Sequence, residues 1–131
     1  NYKNIEPSEI QLLNFINNIR IKSNQQIIVT TGAMAPLILK NTFSKIRDNN
    51  IKFIQGLNFK ELEELVSQSK LLISCHGAIS HVASAYNIKQ IDIIDINKEN
   101  PYCNWTDHFR NYSSLYRKNF SILSAEILNL L

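Results

Sequence analysis

The sequence has little cysteine, glycine and proline, with two, three and three of these residues among 131. Two cysteines cannot form the disulfide framework that stabilises small secreted domains, so a reducing, cytoplasmic setting is predicted. No low-complexity tract, internal repeat or linker divides the chain. With 44% hydrophobic residues it is large enough for one core. A single domain, cut from a longer protein that extends before Asn1, is therefore expected.

Long apolar runs and blocks of like charge are also missing. No stretch approaches the roughly 20 apolar residues of a membrane-spanning helix. The net charge of +3 comes from scattered Lys and Arg residues, which predicts no nucleic-acid partner. A mild positive charge suits an anionic ligand, or peripheral attachment to the acidic inner face of a membrane.

Two common phosphate-binding motifs are absent, because no G-x-G-x-x-G follows a strand and no G-x-x-x-x-G-K-[ST] occurs. Dinucleotide-dependent dehydrogenases and P-loop NTPases are therefore disfavoured. A phosphorylated receiver domain needs acidic residues where its early strands end, and Thr31 and Gln55 occupy those positions. That class of protein is disfavoured as well.

What is present is an alternation of helices and short apolar strands. Ser8 and Gln11 form a capping-box pattern at the start of the first helix. Strands are predicted at 26–31, 51–55, 71–75 and 91–96. Amphipathic helices between such strands predict the α/β class, as a Rossmann-like three-layer sandwich with a mainly parallel sheet.

The last third of the chain departs from this pattern. After the fourth strand we expect a polar and aromatic loop, then a short segment near Phe120 and an apolar helix over about 124–131. Tyr102, Trp105 and His108 either form a lid or part of a sugar pocket, or they cover the edge of the sheet.

The ends of the predicted strands hold the candidate binding residues, because open parallel sheets bind ligands beyond the carboxyl ends of their strands. Four segments are expected to converge at one edge: Thr31-Gly32, Gly56-Leu57-Asn58, His76-Gly77-Ala78-Ile79-Ser80-His81 and 95–97. In the third, a glycine before a helix lets backbone amides approach an anion, and His76, Ser80 and His81 add donors to a pyrophosphate. The alternative is that Gly77 only forms a tight turn and His81 only packs on its helix.

Metal and nucleophile chemistry is disfavoured. Five residues match no usual zinc-ligand spacing: Cys75, His76, His81, Cys103 and His108. Cys75 and His76 are adjacent on an extended segment and point to opposite faces, and Cys75 is expected to be a buried thiol in an apolar run. Asp92 and Asp95 also face opposite ways on their strand. We therefore expect no metal and no cofactor.

From Gly56 to Ile94 the order of features resembles the C-terminal domain of glycosyltransferase family 9, the lipopolysaccharide heptosyltransferases. A glycine, a Glu-Leu-Glu-Glu-Leu helix and an apolar strand precede Gly77, and the spacing from Gly77 through His81 to Ala85 is similar to the family's. Trp105 falls where such proteins often carry a tryptophan. Cys75-His76 departs from the family's Asn-Asp, and His76-Gly77 instead resembles the donor-diphosphate region of other GT-B transferases.

The resemblance implies that residues 1–131 are the donor-binding half of a GT-B glycosyltransferase, which moves a sugar, heptose in that family, to a glycan or lipid-linked acceptor. The donor is a nucleotide-sugar, and no metal is needed. Its phosphates would lie on His76, Gly77, Ala78, Ile79, Ser80 and His81, and its nucleoside near Thr31, Gly32, Gly56, Leu57 and Asn58. The catalytic base and the acceptor site would belong to a missing N-terminal domain, so the fragment alone would be inactive. A non-catalytic Rossmann-like interaction module and a nucleotide-sugar epimerase remain alternatives.

Overall fold

The structure is a computed structural model that describes residues 5–95 and 106–131. The chain forms two compact units, one from Asn1–Asn58 with Asn119–Leu131 and the other from Phe59–Lys118. Each unit has its own sheet, and every strand pair between described residues is parallel. The predicted fold class, α/β and Rossmann-like with parallel strands, is confirmed.

The described elements follow the predicted alternation. In chain order they are α1 Glu9–Ser23, β1 Ile27–Thr31, α2 Leu37–Ser44, β2 Ile51–Gln55, α3 Phe59–Ser67, β3 Leu71–Cys75, α4 Ala78–Ala85, β4 Lys89–Ile94, β5 Tyr112–Tyr116 and α5 Phe120–Asn129. Strands β2 and β3 have the predicted bounds, and β1 begins one residue later than predicted. Strand β4 begins and ends two residues early.

In the first unit, local side-chain bonds set both ends of α1. The predicted capping box is confirmed, since Ser8 Oγ accepts the Gln11 N–H at 3.2 Å and Gln11 Oε1 accepts the Ser8 N–H at 2.9 Å. The helix ends at Asn24, whose φ of 50° is left-handed and whose N–H donates to the Arg20 carbonyl at 3.0 Å. Asparagine adopts this conformation more readily than most residues.

Helix α1 also organises the core of the first unit, where it packs against α2, α5 and β1. Ile16 and Ile19 of α1 are buried, as are Leu123 and Ile127 of α5. The prediction for α5 was wrong at its start, because the segment near Phe120 is already its first turn. Asn119 begins the helix there: its side chain accepts the Ser121 N–H at 3.0 Å.

In the second unit the strand order is β3-β4-β5, so β4 is central. Helix α4 packs against β3 and β4, and α3 packs against α4. Ile91 of β4 and Ala83 of α4 are fully buried. Strand β5 was not predicted, because its sequence Tyr-Ser-Ser-Leu-Tyr is too polar to read as an apolar run.

The described helices include none with the length and apolar character that crossing a bilayer requires. The longest, α1, has 15 residues, and a span needs roughly 20. This finding agrees with the absence of a long apolar run in the sequence.

Two isoleucines of α5 test the core of the first unit. Ile127 is 1% exposed and Ile122 is 55% exposed. Ile127→Ala should lower the free energy of unfolding by about 2–5 kcal/mol, because it leaves a cavity. Ile122→Ala, the matched control, should cost less than about 1 kcal/mol. Urea denaturation measures both, and equal losses would contradict this core.

Candidate functional site

The candidate site begins where β3 passes into α4 in the second unit. The His76 N–H donates to the Ile93 carbonyl at 3.0 Å, which carries the parallel ladder one residue beyond β3. Gly77 then precedes α4, and its N–H donates to Ser80 Oγ at 3.3 Å. Ser80, in the first turn of α4, is fully buried.

Asp92 lies at the centre of this region, fully buried on the central strand β4. Its carboxylate has three side-chain partners: His76 Nδ1 at 2.5 Å, the Ser80 hydroxyl at 3.0 Å and the Tyr112 hydroxyl at 2.9 Å. We call these four residues the Asp92 network. It joins the end of β3, the start of α4 and strand β5 to one carboxylate.

The network fixes where its hydrogens lie. Burial, and then the hydrogen bond to Asp92 and its negative charge, raise the pKa of Tyr112 far above its usual value, so the phenol stays a donor. An ionised carboxylate only accepts hydrogen bonds, so Nδ1 is the ring nitrogen of His76 that carries a hydrogen. Asp92 therefore sets both the tautomer and the orientation of His76.

The start of α4 offers backbone donors beside this network. The amide N–H groups of Ala78 and Ile79 have no hydrogen-bond partner among the described residues. First-turn amides carry partial positive charge and attract anions. The anion-binding role of this segment stays a prediction.

Neither the backbone angles of Gly77 nor its contacts with the described residues require glycine at this position. Its φ of 176° is extended backbone, and an added Cβ would meet only the Cys75 carbonyl oxygen, at 4.0 Å. Gly56 differs, because its φ of 77° is left-handed. The alternative that Gly77 serves only as a tight turn does not explain why a side chain is missing there.

His81 is exposed on α4 and is held by ring contacts. Its centroid lies 6.0 Å from that of His76 and 5.0 Å from that of Phe109, both edge-on. Two imidazoles thus lie close together, one tied to the buried carboxylate and the other open to solvent.

The prediction of a buried Cys75 was wrong, because this thiol is exposed at the end of β3. Arg117, which follows β5, donates from a terminal guanidinium nitrogen to Cys75 Sγ at 3.3 Å, and its Nε lies 3.5 Å from Asp95 Oδ1. Asp95 and Asp92 therefore have separate partners, as their spacing predicted. Arg117 brings a positive charge to the carboxyl ends of the strands.

Sequence reasoning missed Asp92, Tyr112 and Arg117 as site residues. Tyr112 and Arg117 were missed because β5 was not recognised. For Asp92 a signal existed, since it is an acidic residue between Ile91 and Ile93 of a predicted buried strand, and a buried carboxylate requires partners.

The residues predicted to hold the nucleoside lie in the first unit. The Gly56 N–H donates to the Thr31 carbonyl at 3.0 Å, so the ends of β1 and β2 meet as predicted, and Gly32 follows directly. Leu57 is half-buried and Asn58 is exposed. That these residues share one edge with His76–His81 stays a prediction.

Some predicted residues fall outside the described part of the chain, namely Tyr102 and Trp105 of the lid or sugar pocket, positions 96–97 of the site, and Cys103, a disfavoured zinc ligand. Within 5–95 and 106–131, no three His, Cys, Asp or Glu residues are grouped as metal ligands. The groups that the structure describes at the end of β3 and the start of α4 are backbone amides, two imidazoles, the Arg117 guanidinium and the carboxylates of Asp92 and Asp95.

The Asp92 network predicts a difference between two tyrosines of β5. Tyr112→Phe removes one donor from a buried carboxylate and should lower the free energy of unfolding by about 1–3 kcal/mol at pH 7. Tyr116, 52% exposed on the same strand, is the control. Tyr116→Phe should cost less than about 0.5 kcal/mol.

The same pair predicts a pH dependence. Because the pKa of Tyr112 is raised on folding, its stabilising contribution is complete below the unfolded value of 10.0 and declines above it. The difference between wild type and Tyr112→Phe should therefore narrow as the pH rises past 10, in urea titrations at successive pH values. A difference that widens would contradict the network.

Comparison of the chain with protein-family models, curated proteins and solved structures finds no match. The resemblance to glycosyltransferase family 9 therefore stays a prediction from the residues between Gly56 and Ile94. The geometry around Asp92 rests on the structure alone: its carboxylate joins His76, Ser80 and Tyr112 beside the carboxyl end of β3.

Proposed function

We propose that the second unit binds the diphosphate of a nucleotide-sugar at the segment His76–His81, as the donor-binding part of a glycosyltransferase of the GT-B type. The observation that carries the proposal is the Asp92 network, which fixes His76 and Ser80 at the helix start that follows β3. The network uses the Ser80 hydroxyl and His76 Nδ1 as donors to Asp92, and so holds in place the backbone that carries the first amides of α4. Groups held by such a second layer of contacts lose little freedom when the ligand arrives.

The charges around the segment support an anionic ligand. Arg117 is permanently cationic, the first amides of α4 carry partial positive charge, and His76 and His81 supply imidazoles. A nucleoside diphosphate gains negative charge as it leaves the sugar. Fixed positive groups at that place would stabilise the transition state more than the bound substrate.

Gly77 supports the position of the phosphates. Since neither its backbone angles nor its neighbours require glycine, the missing side chain leaves space at the start of α4. A phosphate in that space reaches the amides of Ala78 and Ile79 directly. A bound phosphate would give a reason for glycine at position 77, where the contacts of the described residues give none.

The remaining assignments belong to the same proposal. The acceptor, a glycan or a lipid-linked sugar, and the catalytic base belong to a further domain, and transfer needs no metal. The protein acts in the cytoplasm, at the inner face of a membrane.

Gly77→Ser tests the phosphate site without removing a helix cap. Serine is a good N-cap residue, so the free energy of unfolding should change by less than about 1 kcal/mol. Its side chain enters the phosphate space, and affinity for a nucleoside diphosphate should fall at least about tenfold, or ~1.4 kcal/mol. Calorimetry of the whole protein with ADP, UDP, GDP and CMP measures this.

The control is Gln68→Ser, an exposed position that precedes β3 and so lies at its opposite end. It should leave nucleotide affinity unchanged. Two results would overturn the proposal: wild-type protein that is folded but binds none of the four nucleotides, or Gly77→Ser protein that binds as well as wild type. The first result would favour the non-catalytic interaction module.

A further inference from the structure

The second unit contains a depression beside α4 that shares only His81 with the proposed diphosphate site. It has a volume of about 560 Å³, within the roughly 300–1,000 Å³ of small-molecule sites. Its lining residues are His81, Ser84, Ala85, Asn87, His108 and Arg110. Helix α4, the turn after it and the segment before β5 form its walls.

The depression lies toward the amino ends of two strands. Asn87 comes just before β4, and Arg110 comes just before β5. Gly77, by contrast, follows the carboxyl end of β3. Arg110, His108 and Asn87 are therefore separate from the groups assigned to the diphosphate, and His81 is the one lining residue that belongs to both.

The charge of the lining favours an anion. Arg110 is permanently cationic, His81 and His108 each bring an imidazole ring, and none of the lining residues is acidic. The acidic residue nearest in sequence is Asp107, which is exposed and does not line the depression. A ligand that carries a negative group would meet donors without an opposing carboxylate.

Aromatic packing holds the two histidines in place. The ring of Phe109 makes edge contacts with His81 at 5.0 Å and with His108 at 4.7 Å between centroids. Within the described residues neither imidazole, nor the Arg110 guanidinium, has a hydrogen-bond partner. Ring contacts therefore set the positions of the two imidazoles. The nitrogen atoms of all three side chains bond to no other group of the described chain.

We propose that this depression binds a monosaccharide-sized ligand through one anionic group, a carboxylate or a phosphate. Arg110 pairs with that group in the two-pronged manner of guanidinium and oxyanion, and His108 and His81 add charge-assisted donors. Ser84 and Asn87 donate to and accept from sugar hydroxyls. The volume exceeds what an inorganic ion needs, so the neutral body of the ligand fills the rest.

A titration with three sugars tests the site. Glucuronic acid carries a carboxylate, glucose 6-phosphate carries a phosphate, and glucose has neither. Amide chemical shifts of the whole protein, followed by NMR, should show that at least one charged sugar binds at residues 81–87 and 108–110, and at least tenfold more tightly than glucose. Which charged sugar binds identifies the anionic group.

Arg110→Ala should weaken binding of that sugar about 10- to 100-fold, the usual loss for a charge-assisted hydrogen bond of ~1.5–3 kcal/mol. The control is Lys70→Ala, which removes an exposed charge just before β3 and should leave the affinity for that sugar unchanged. Nucleotide affinity should be the same in Arg110→Ala and wild type. The experiment therefore tests the sugar-binding depression independently of the proposed diphosphate site. Equal binding of glucose, no binding of either charged sugar, or unchanged affinity in Arg110→Ala would overturn the proposal.

Discussion

One buried carboxylate constrains the second unit. Asp92 is fully enclosed on the central strand, where an unpaired charge would cost several kcal/mol. Its three donors come from the end of β3, from α4 and from β5. Because each donor belongs to a different element, the cost of burying the charge is offset only when all three elements are in place. The carboxylate thus selects one arrangement of strand ends and helix, which apolar packing alone would define less sharply.

The same constraint gives the candidate site its chemistry. His76 and Ser80 are held from behind, so their positions do not depend on a ligand, and Gly77 between them leaves the first amides of α4 accessible. Arg117 reaches the same strand ends from β5 and bonds to Cys75. The buried carboxylate thereby orders a surface that holds the first amides of α4, two imidazoles and Arg117, whose guanidinium also lies 3.5 Å from Asp95 Oδ1. The diphosphate that we propose would meet the amides and the guanidinium there.

Much of the fold could be predicted from sequence. Each apolar strand from β1 to β4, and the capping box at Ser8, is encoded by a few consecutive residues. Strand β5 could not be predicted, since its sequence Tyr-Ser-Ser-Leu-Tyr has no apolar run and is stabilised as a strand by its pairing with β4. For the same reason Tyr112 and Arg117 were missed. The segment 76–81 was recognised from its glycine and its place after a strand. Asp92 supports this segment only because β3 and β4 pair in the register that places Ser74 beside Asp92. No local sequence pattern encodes that register.

The most direct test of the central claim is the protonation of the His76 ring, observed by long-range ¹H–¹⁵N NMR of the imidazole nitrogens. We predict a hydrogen on Nδ1 in the folded wild-type protein at pH 7, and the loss of this preference in Asp92→Asn, whose amide can donate as well as accept. A neutral His76 that carries its hydrogen on Nε2, with Nδ1 bare, would contradict the account. The bond to Asp92 would then be absent, and the order of the site would need another cause.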